Sequence, residues 1–242
     1  MRNALQNKAK FFLTLLASAS LAWAADVPWK GKPYEQWEDK DIQKIFTDSP
    51  WARTATITRS WVPPTKDQPN SPVAGQQRPL PGDLSRSSDG SAGSDLNYNV
   101  YWASSRVMRA ASARKAILHG GQKELDVEKY ATAPQEEYQI VVQSEDMSPF
   151  VRHDEKFFQG NAFLEPKKAK QKIAPSHVQY ERDEKGQSVT TAIFFFPKKT
   201  AAGAPTIAPD EKSVEFNCKV EGQTLHVSFE PQKMVDSTGP DL

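Results

Sequence analysis

Residues 34–61 read YEQWEDKDIQKIFTDSPWARTATITRSW and contain a helix start, a helix stop and a strand. With Glu38 as N-cap, Asp41 falls at N3, where a carboxylate faces the free N–H groups and the positive end of the helix dipole. Trp37 and Ile42 then occupy the two positions of a hydrophobic staple, which fixes how a chain enters its helix. The sequence therefore predicts a helix that begins just after Glu38.

The helix must end before Pro50, and the apolar pattern beyond it changes from helical to alternating. Proline disfavours helical backbone at the residue that precedes it. The Thr-rich segment that follows has high strand propensity. One face of this strand would carry Trp51, Arg53, Ala55, Ile57, Arg59 and Trp61. We therefore expect residues 25–62 to form an N-terminal helix–strand unit.

This strand face holds four candidate binding residues, which are Trp51, Arg53, Arg59 and Trp61. An arginine over a tryptophan can form a cation–π pair, and aromatic and arginine side chains together are enriched where proteins hold partners. The alternative is that the tryptophans anchor the core and the arginines reach past them to solvent. The sequence leaves both interpretations open.

A second helix carries one more candidate binding residue, Arg114. Ser104 or Ser105 is its N-cap, and Gly120-Gly121 is a stop signal. Arg114 lies in the middle of the apolar face of this helix. A charge in such a position must reach solvent, form an ion pair or contact a ligand.

Three short motifs resemble a group of uncharacterised secreted proteins of acidobacterial type. They are WEDKDIQKIFTDSPWA at residues 37–52, Trp102-Ala103-Ser104-Ser105 with Arg109-Ala110, and Ser213–Phe229 with Lys233-Met234. Glu38 stands where that group has threonine. The resemblance implies a domain family and export, and it carries over no catalytic residue.

The first 24 residues have the three parts of a secretory signal peptide. Arg2, Lys8 and Lys10 form a basic region, Phe11–Leu21 is apolar, and Ala22-Trp23-Ala24 is a cleavage signal. The apolar run is shorter than the ~20 residues that span a bilayer. We therefore predict an exported chain, periplasmic or extracellular, with no transmembrane segment after removal of the signal.

The composition of the exported chain argues against a nucleic-acid partner. Removal of the signal's three basic residues from the 31 Lys and Arg leaves 28 against 30 Asp and Glu. A nucleic-acid-binding protein would need a basic face. The chain has a single cysteine, so an internal disulfide is excluded and stability must come from packing. No motif in the sequence predicts a cofactor.

Between the N-terminal unit and the rest of the chain, residues 63–97 are rich in Pro, Gly, Ser and Asp. Such a segment cannot bury enough apolar surface to offset its ordering entropy, so we predict a long disordered loop. Residues 98–242 alternate strand and helix patterns. The predicted fold class is α+β, with an antiparallel sheet of about six to eight strands, three to four helices packed on it, and one core shared with residues 25–62.

The C-terminal hairpin is predicted in register. With Glu221-Gly222 as a two-residue turn, Cys218 faces Leu225 and Phe216 faces Val227. Because apolar pairs then share one face, we interpret Cys218 as a small buried hydrophobe rather than a nucleophile.

Two further expectations concern the segment before this hairpin. Ser148 as N-cap with Pro149 at N1 predicts one helix that runs to Gly160. Phe194–Phe196 is apolar on both faces, which predicts a central strand covered on both sides.

The sequence contains no recognisable catalytic or metal-binding motif. His119, His153, His177 and His226 have neither the i, i+4 spacing nor the neighbours of a metal site. No catalytic and no metal-ligating residue is therefore assigned. A Ser-His-Asp site assembled from distant positions stays open, because such triads are recognised by geometry and not by sequence order.

Three functions are compatible with these patterns. The leading hypothesis is an exported, non-enzymatic binding or assembly protein of the cell envelope, whose partner is an envelope protein, a peptide or a glycan. One alternative is an exported hydrolase with scattered site residues, which predicts a pocket that joins a histidine to a serine or a carboxylate. The other is a small-ligand carrier, which predicts an apolar cavity lined by the region of Phe194–Phe196.

Overall fold

The computed structural model describes residues 27–58, 95–122, 124–220 and 222–242. It confirms the α+β fold with antiparallel sheets. The predicted signal peptide lies outside the described residues. So does the predicted loop, except for its last three residues, which belong to a strand that begins at Asp95.

A five-stranded antiparallel sheet has the strand order β1-β2-β3-β6-β5. Its strands are β1 (Ala52–Thr58), β2 (Asp95–Trp102), β3 (Glu137–Gln143), β5 (His177–Arg182) and β6 (Val189–Pro197). Strand β1 therefore belongs to the same sheet as the strands that follow the loop, as the shared core predicted for residues 25–62 requires.

A three-stranded antiparallel sheet packs on the inner face of the first and has the order β4-β7-β8. Its strands are β4 (Ala162–Pro166), β7 (Val214–Val220) and β8 (Gln223–Phe229), and a short pair, β9 (Val235–Asp236) and β10 (Gly239–Pro240), follows. Cys218 faces Leu225 and Phe216 faces Val227, so the predicted hairpin register is confirmed.

Six α-helices lie in the described part of the chain, more than the three to four predicted. They are α1 (Pro28–Gly31), α2 (Asp39–Thr47), α3 (Arg106–His119), α4 (Val127–Thr132), α5 (Ser148–Val151) and α6 (Glu155–Asn161). The difference comes from short helices, because α1 and α5 have four residues each. Helix α2 begins after Glu38 as predicted, and the Asp41 carboxylate accepts the Glu38 N–H at 2.9 Å.

The core lies between the two sheets and is rich in aromatic rings. Trp102 on β2 packs edge to face on Phe229 of β8, with ring centroids 5.3 Å apart. Phe194 on β6 meets Phe216 of β7 in the same way at 5.3 Å. All four side chains are fully buried, so their contacts bind the sheets together through the hydrophobic effect.

One predicted helix is wrong, because the segment from Ser148 to Gly160 forms two helices. Met147 and not Ser148 is the N-cap of α5. The chain leaves the helix after Val151, and the Asp154 side chain then caps α6 by accepting the Phe157 N–H at 2.8 Å. A second N-cap inside the segment satisfies free N–H groups that a continuous helix would not have.

The expectation that β6 is covered on both sides is also wrong. Phe194 and Phe196 point into the core and are fully buried. Phe195 points to the opposite, outer face, where it is half-buried and stacks on His177 with centroids 4.0 Å apart. The outer face of the sheet is thus partly open, and its residues form the floor of the groove described below.

We expect the Cys218 thiol to be unreactive in the folded protein. The side chain is fully buried on β7, and this burial raises the pKa of the thiol far above its usual range. In a disulfide-exchange assay with Ellman's reagent, native protein should release no chromophore, and protein in denaturant should release one equivalent. A Thr224→Cys variant is the control, because its exposed second thiol should react at once. Fast native labelling of the wild type would contradict the expectation.

Candidate functional site

A groove of about 1170 Å³ lies between the outer face of the five-stranded sheet and helices α2 and α3. Its floor comes from β2, β3 and β6. One wall comes from α2 and α3, and the end of α4 contributes Tyr130. Pockets of this size, with apolar walls and a few polar groups, are the usual location of ligand sites.

The floor is arranged in rows that cross the strands. Residues directly opposite each other in an antiparallel ladder lie on the same face. Tyr101 is paired with Val141, and Val141 with Ile193, which makes an apolar row across three strands. The neighbouring row consists of Asn99, Gln143 and Thr191. Gln139 lies on the other side of the apolar row and pairs with Phe195. An apolar stripe is thus flanked by amide groups on both sides.

The amide side chains of the floor use only part of their hydrogen-bonding capacity. Asn99 accepts a hydrogen bond from the Thr54 hydroxyl through its side-chain oxygen at 3.1 Å. Gln143 donates through its side-chain nitrogen to the Thr191 hydroxyl at 3.2 Å. Gln139 likewise donates to Gln135 at 3.2 Å. The two glutamine oxygens on the floor are left to contact a ligand, and so is the amide nitrogen of Asn99, which lines the smaller pocket next to the groove.

Aromatic packing holds the helical wall of the groove. Phe46 of α2 meets Tyr101 of β2 edge to face, with centroids 5.4 Å apart. The Lys115 ammonium of α3 lies 5.6 Å from the centre of the Phe46 ring. The guanidinium of Arg114 donates two hydrogen bonds to the Trp37 carbonyl, at 3.0 and 3.2 Å. Since Trp37 immediately precedes the N-cap of α2, Arg114 fixes α2 against α3.

At the rim of the groove, a histidine and a carboxylate connect the same two helices. His119 Nε2 lies 2.6 Å from Asp39 Oδ1, and both side chains are more than half exposed. Ser112, also on α3, lines the same groove. Ser112 and His119 are seven residues apart on one helix, which separates them by about 10 Å along its axis. That distance is too long for a hydrogen bond between a nucleophile and its base.

The charges that line the groove balance and are mostly occupied. Asp39 faces His119, and the groove is also lined by Glu181 of β5 and Lys115 of α3. Arg109 is buried and donates to the backbone carbonyls of Ala131 and Ala133, at 3.0 and 2.6 Å. These carbonyls end helix α4, so Arg109 caps that helix rather than offering a free charge. A neutral ligand therefore suits the groove better than an ionic one.

A smaller pocket of about 490 Å³ continues the polar side of the groove. Gln143 and Thr191 line both cavities. The smaller pocket adds the amides of Asn97 and Asn99 and two carboxylates, those of Asp95 and Glu145. Asn97 accepts from the Thr56 hydroxyl at 2.7 Å, which repeats the arrangement of Asn99 with Thr54. The ligand surface is therefore an extended strip and not a closed cavity.

The sequence-predicted site residues lie elsewhere. Trp51 has no exposed surface, and its indole N–H donates to the Asp241 carbonyl at 2.8 Å. Arg53 is half-buried on the inner face and donates to the carbonyls of Ser49 and Ser228, at 3.0 and 2.8 Å. Both side chains join the N-terminal unit to the C-terminal part of the core. Trp51 is thus the core anchor of the packing alternative, but Arg53 bonds backbone carbonyls and does not extend into solvent as that alternative expected.

The remaining predicted residues divide in the same way. Arg59 and Trp61 lie outside the described residues. Arg114 forms neither an ion pair nor a groove contact among the described residues, and it bonds a backbone carbonyl instead. Its position in an apolar face is explained by this structural connection between α2 and α3.

Sequence reasoning missed the groove residues, although a weak signal existed. In β3 the residues that face the groove are Gln139, Val141 and Gln143, in strict alternation with the buried Ile140 and Val142. Alternation indicates a strand with one open face. It does not show that helices α2 and α3 stand beside that face, because their position depends on contacts far apart in the chain.

A largely buried ionic network lies at the start of α3. Arg106 donates to both Asp236 oxygens, at 2.9 and 3.0 Å. Asp241 accepts the backbone N–H groups of Arg106 and Val107, at 2.7 and 3.0 Å. The Tyr34 hydroxyl donates to Asp236 at 3.1 Å. The network satisfies the free N–H groups of α3 and fastens three distant segments together.

The two carboxylates of this network have opposite pKa shifts. Burial by itself would raise the pKa of Asp236, but hydrogen bonds from Arg106 and Thr238 outweigh it and hold that pKa below its usual range. Burial raises the pKa of Asp241, although the N–H groups of Val107 and Arg106 oppose the shift. Burial, followed by the Asp236 charge, also raises the pKa of Tyr34. These groups are used in packing and are not free to act on a ligand.

We expect Asp236 to make part of the stability acid-sensitive. Its folded pKa is lower than the unfolded value of about 3.9, so its contribution is present above that pH and is lost as the pH falls through the folded value. The difference in unfolding free energy between wild type and Asp236→Asn should therefore shrink below about pH 4. Urea titrations at pH 7 and pH 3 measure it, and a constant difference would contradict the assignment.

Among the described residues, no group of three or more His, Cys, Asp and Glu side chains is placed to hold a metal ion. No described helix combines the length and the apolar character that crossing a membrane requires. Comparisons with protein-family models, with curated proteins and with solved structures gave no match.

Proposed function

We propose that the chain is an exported, non-enzymatic binding protein of the cell envelope, and that the groove between the five-stranded sheet and helices α2 and α3 holds its ligand. The observation that carries the proposal is the floor of the groove, where amide groups with unused donors and acceptors flank an apolar row. Such a floor is suited to binding a polar, uncharged ligand, and this role needs no catalytic group. The signal-peptide pattern of the first 24 residues supports export.

Co-sedimentation with the insoluble envelope fraction tests this proposal. The chain without its predicted signal peptide should sediment with the fraction, and an Ile193→Arg variant should remain in the supernatant. Ile193 lies in the apolar row and is half-buried, so a longer charged side chain fills the groove without entering the main core. Circular dichroism of the variant checks that it is folded.

The matched control places the same side chain on the opposite sheet. Thr224 is exposed on β8, far from the groove, and Thr224→Arg adds the same charge. This variant should sediment as the wild type does. Loss of binding in both variants would mean that added charge, and not the groove, determines sedimentation. Failure of the wild type to sediment would overturn the proposal.

A hydrolase is the second candidate, because the groove brings His119, Asp39 and Ser112 to one surface. In this interpretation the His119–Asp39 pair activates a water molecule, since Ser112 is too far from His119 to be activated by it. Slow release of soluble fragments from the envelope fraction, abolished by His119→Ala, would favour the hydrolase. Binding without release, unchanged in His119→Ala, would favour the binding protein.

The packing around Phe194 does not support the ligand-carrier hypothesis. Phe194 is fully buried and packs against Phe150, Phe158 and Phe216, with centroids 5.3 to 6.3 Å apart. Aromatic rings in edge-to-face contact at these distances fill the space that a carried ligand would need. The Phe194 side of β6 is therefore core.

A further inference from the structure

We propose that the ligand of the groove is an uncharged, extended, β-linked glycan that crosses strands β3 and β6, with one sugar ring over Val141 and the next over Ile193. Tyr101 of β2 is 8% exposed and packs against Phe46, so it closes the end of the apolar row. This inference rests on the proposed binding function. It is carried by the direction and spacing of the rows on the floor, by their chemistry and by the balance of charge.

The distance between neighbouring residues of the apolar row fits the advance per ring of a sugar chain. The apolar row steps from Tyr101 to Val141 to Ile193, one strand at a time, and neighbouring strands lie about 4.8 Å apart. This repeat is close to the advance per ring of an extended β-linked pyranose chain. An extended peptide advances only about 3.3 Å per residue, so its successive side chains would not lie over successive residues of the row. The floor therefore matches a sugar polymer better than a peptide.

The distance between the apolar row and the amide groups beside it fits the width of a sugar ring. Rows on one face of a sheet are two residues apart along each strand, which is about 7 Å. A pyranose ring has apolar C–H groups on its faces and hydroxyl groups around its edge. With the ring on the apolar row, one edge would reach Gln143, and the other would reach Gln139. The polar and apolar parts of the ring would then meet matching parts of the floor.

The free amide groups and the occupied charges of the groove suit an uncharged sugar. Sugar hydroxyls both donate and accept. The floor leaves the amide oxygens of Gln139 and Gln143 for them, and the adjoining pocket leaves the amide nitrogen of Asn99. The buried guanidinium of Arg109 is occupied by backbone carbonyls, and Asp39 faces His119. An anionic polymer would find no free buried cation among the described residues of the groove. The adjoining pocket adds the amides of Asn97 and Asn99 but also the carboxylates of Asp95 and Glu145, which disfavours an anionic polymer further.

Isothermal titration with defined oligosaccharides tests this inference. The probes are the β-1,4-linked hexamers of glucose and of N-acetylglucosamine, and the α-1,4-linked glucose hexamer is the linkage control. At least one β-linked hexamer should bind, and the α-linked hexamer should bind at least tenfold more weakly because its chain curves. The double variant Gln139→Ala, Gln143→Ala should lose about tenfold in affinity for the β-linked probe.

Two variants and the control oligosaccharide give further tests of the inference. Thr224→Arg should bind as the wild type does, while Ile193→Arg should not bind. Equal affinity for the α- and β-linked hexamers would overturn the spacing argument. If neither β-linked hexamer binds while groove-dependent sedimentation with the envelope persists, the glycan inference fails and the binding function stands. Loss of that sedimentation after protease digestion of the envelope would then identify a protein ligand.

Discussion

Replacement of Arg106 by leucine should lower the free energy of unfolding by about 3–5 kcal/mol, which is the usual effect of removing one partner from a buried ion pair. The Asp236 side chain has no exposed surface and Asp241 has 2%. Without the guanidinium, the buried Asp236 carboxylate loses two hydrogen bonds and its counter-ion. Urea titration followed by tryptophan fluorescence measures the change.

An exposed ion pair provides the matched control for Arg106→Leu. Lys233 and Glu230 are 2.9 Å apart, but both side chains are largely in solvent. Lys233→Leu should change stability by less than about 1 kcal/mol, because solvent screens such pairs. The double variant Arg106→Leu, Asp236→Asn should be more stable than Arg106→Leu alone, because it removes the uncompensated Asp236 charge and keeps an acceptor for the Thr238 and Gly239 N–H groups. Equal losses for Arg106→Leu and Lys233→Leu would show that the network is not effectively buried.

Trp51→Ala should also cost about 3–5 kcal/mol, the range for truncation of a large buried aromatic side chain. Trp51 is fully buried, and its ring meets Trp29 edge to face at 5.6 Å. Its indole N–H also bonds the Asp241 carbonyl, so the variant leaves a cavity and an unpaired acceptor. Thermal unfolding should show a lower midpoint and should identify the N-terminal unit as part of the cooperative core.

Trp51→Phe separates the two contributions. It keeps an aromatic ring in the site but removes the N–H donor, so its cost should be near the ~1–3 kcal/mol of an unsatisfied buried acceptor plus a smaller packing loss. A loss in Trp51→Ala no greater than that in Trp51→Phe would contradict the packing argument. Because Trp51→Ala is destabilising, its effect on partner binding would report on folding, and the groove residue Ile193 is the better position to test binding.

Local signals account for the elements that were predicted correctly. The start of α2 depends on Glu38 and Asp41, three residues apart, and the start of α3 depends on Ser105 accepting the Met108 N–H. The error at Ser148 has the same origin. Asp154 is an N-cap as good as serine, and the sequence does not say which of two nearby caps interrupts the helix.

The candidate site was not predictable because its parts are distant in the chain. Tyr101, Val141 and Ile193 share one row only because β2, β3 and β6 are neighbours in the sheet. Trp51 and Arg53 have the residue types of a binding surface. In the folded protein they donate hydrogen bonds to the carbonyls of Asp241 and Ser228 instead.

Local sequence signals were enough to predict the starts of α2 and α3, the alternation of strands and the register of the β7–β8 hairpin. These features depend on residues a few positions apart, whose geometry is set by backbone preferences and turn length. By contrast, Arg106 meets Asp236, 130 residues away, and amide groups flank an apolar stripe beside α2 and α3, only in the folded chain. Those placements depend on how the two sheets and the helices bury their apolar faces together, which is a property of the whole core.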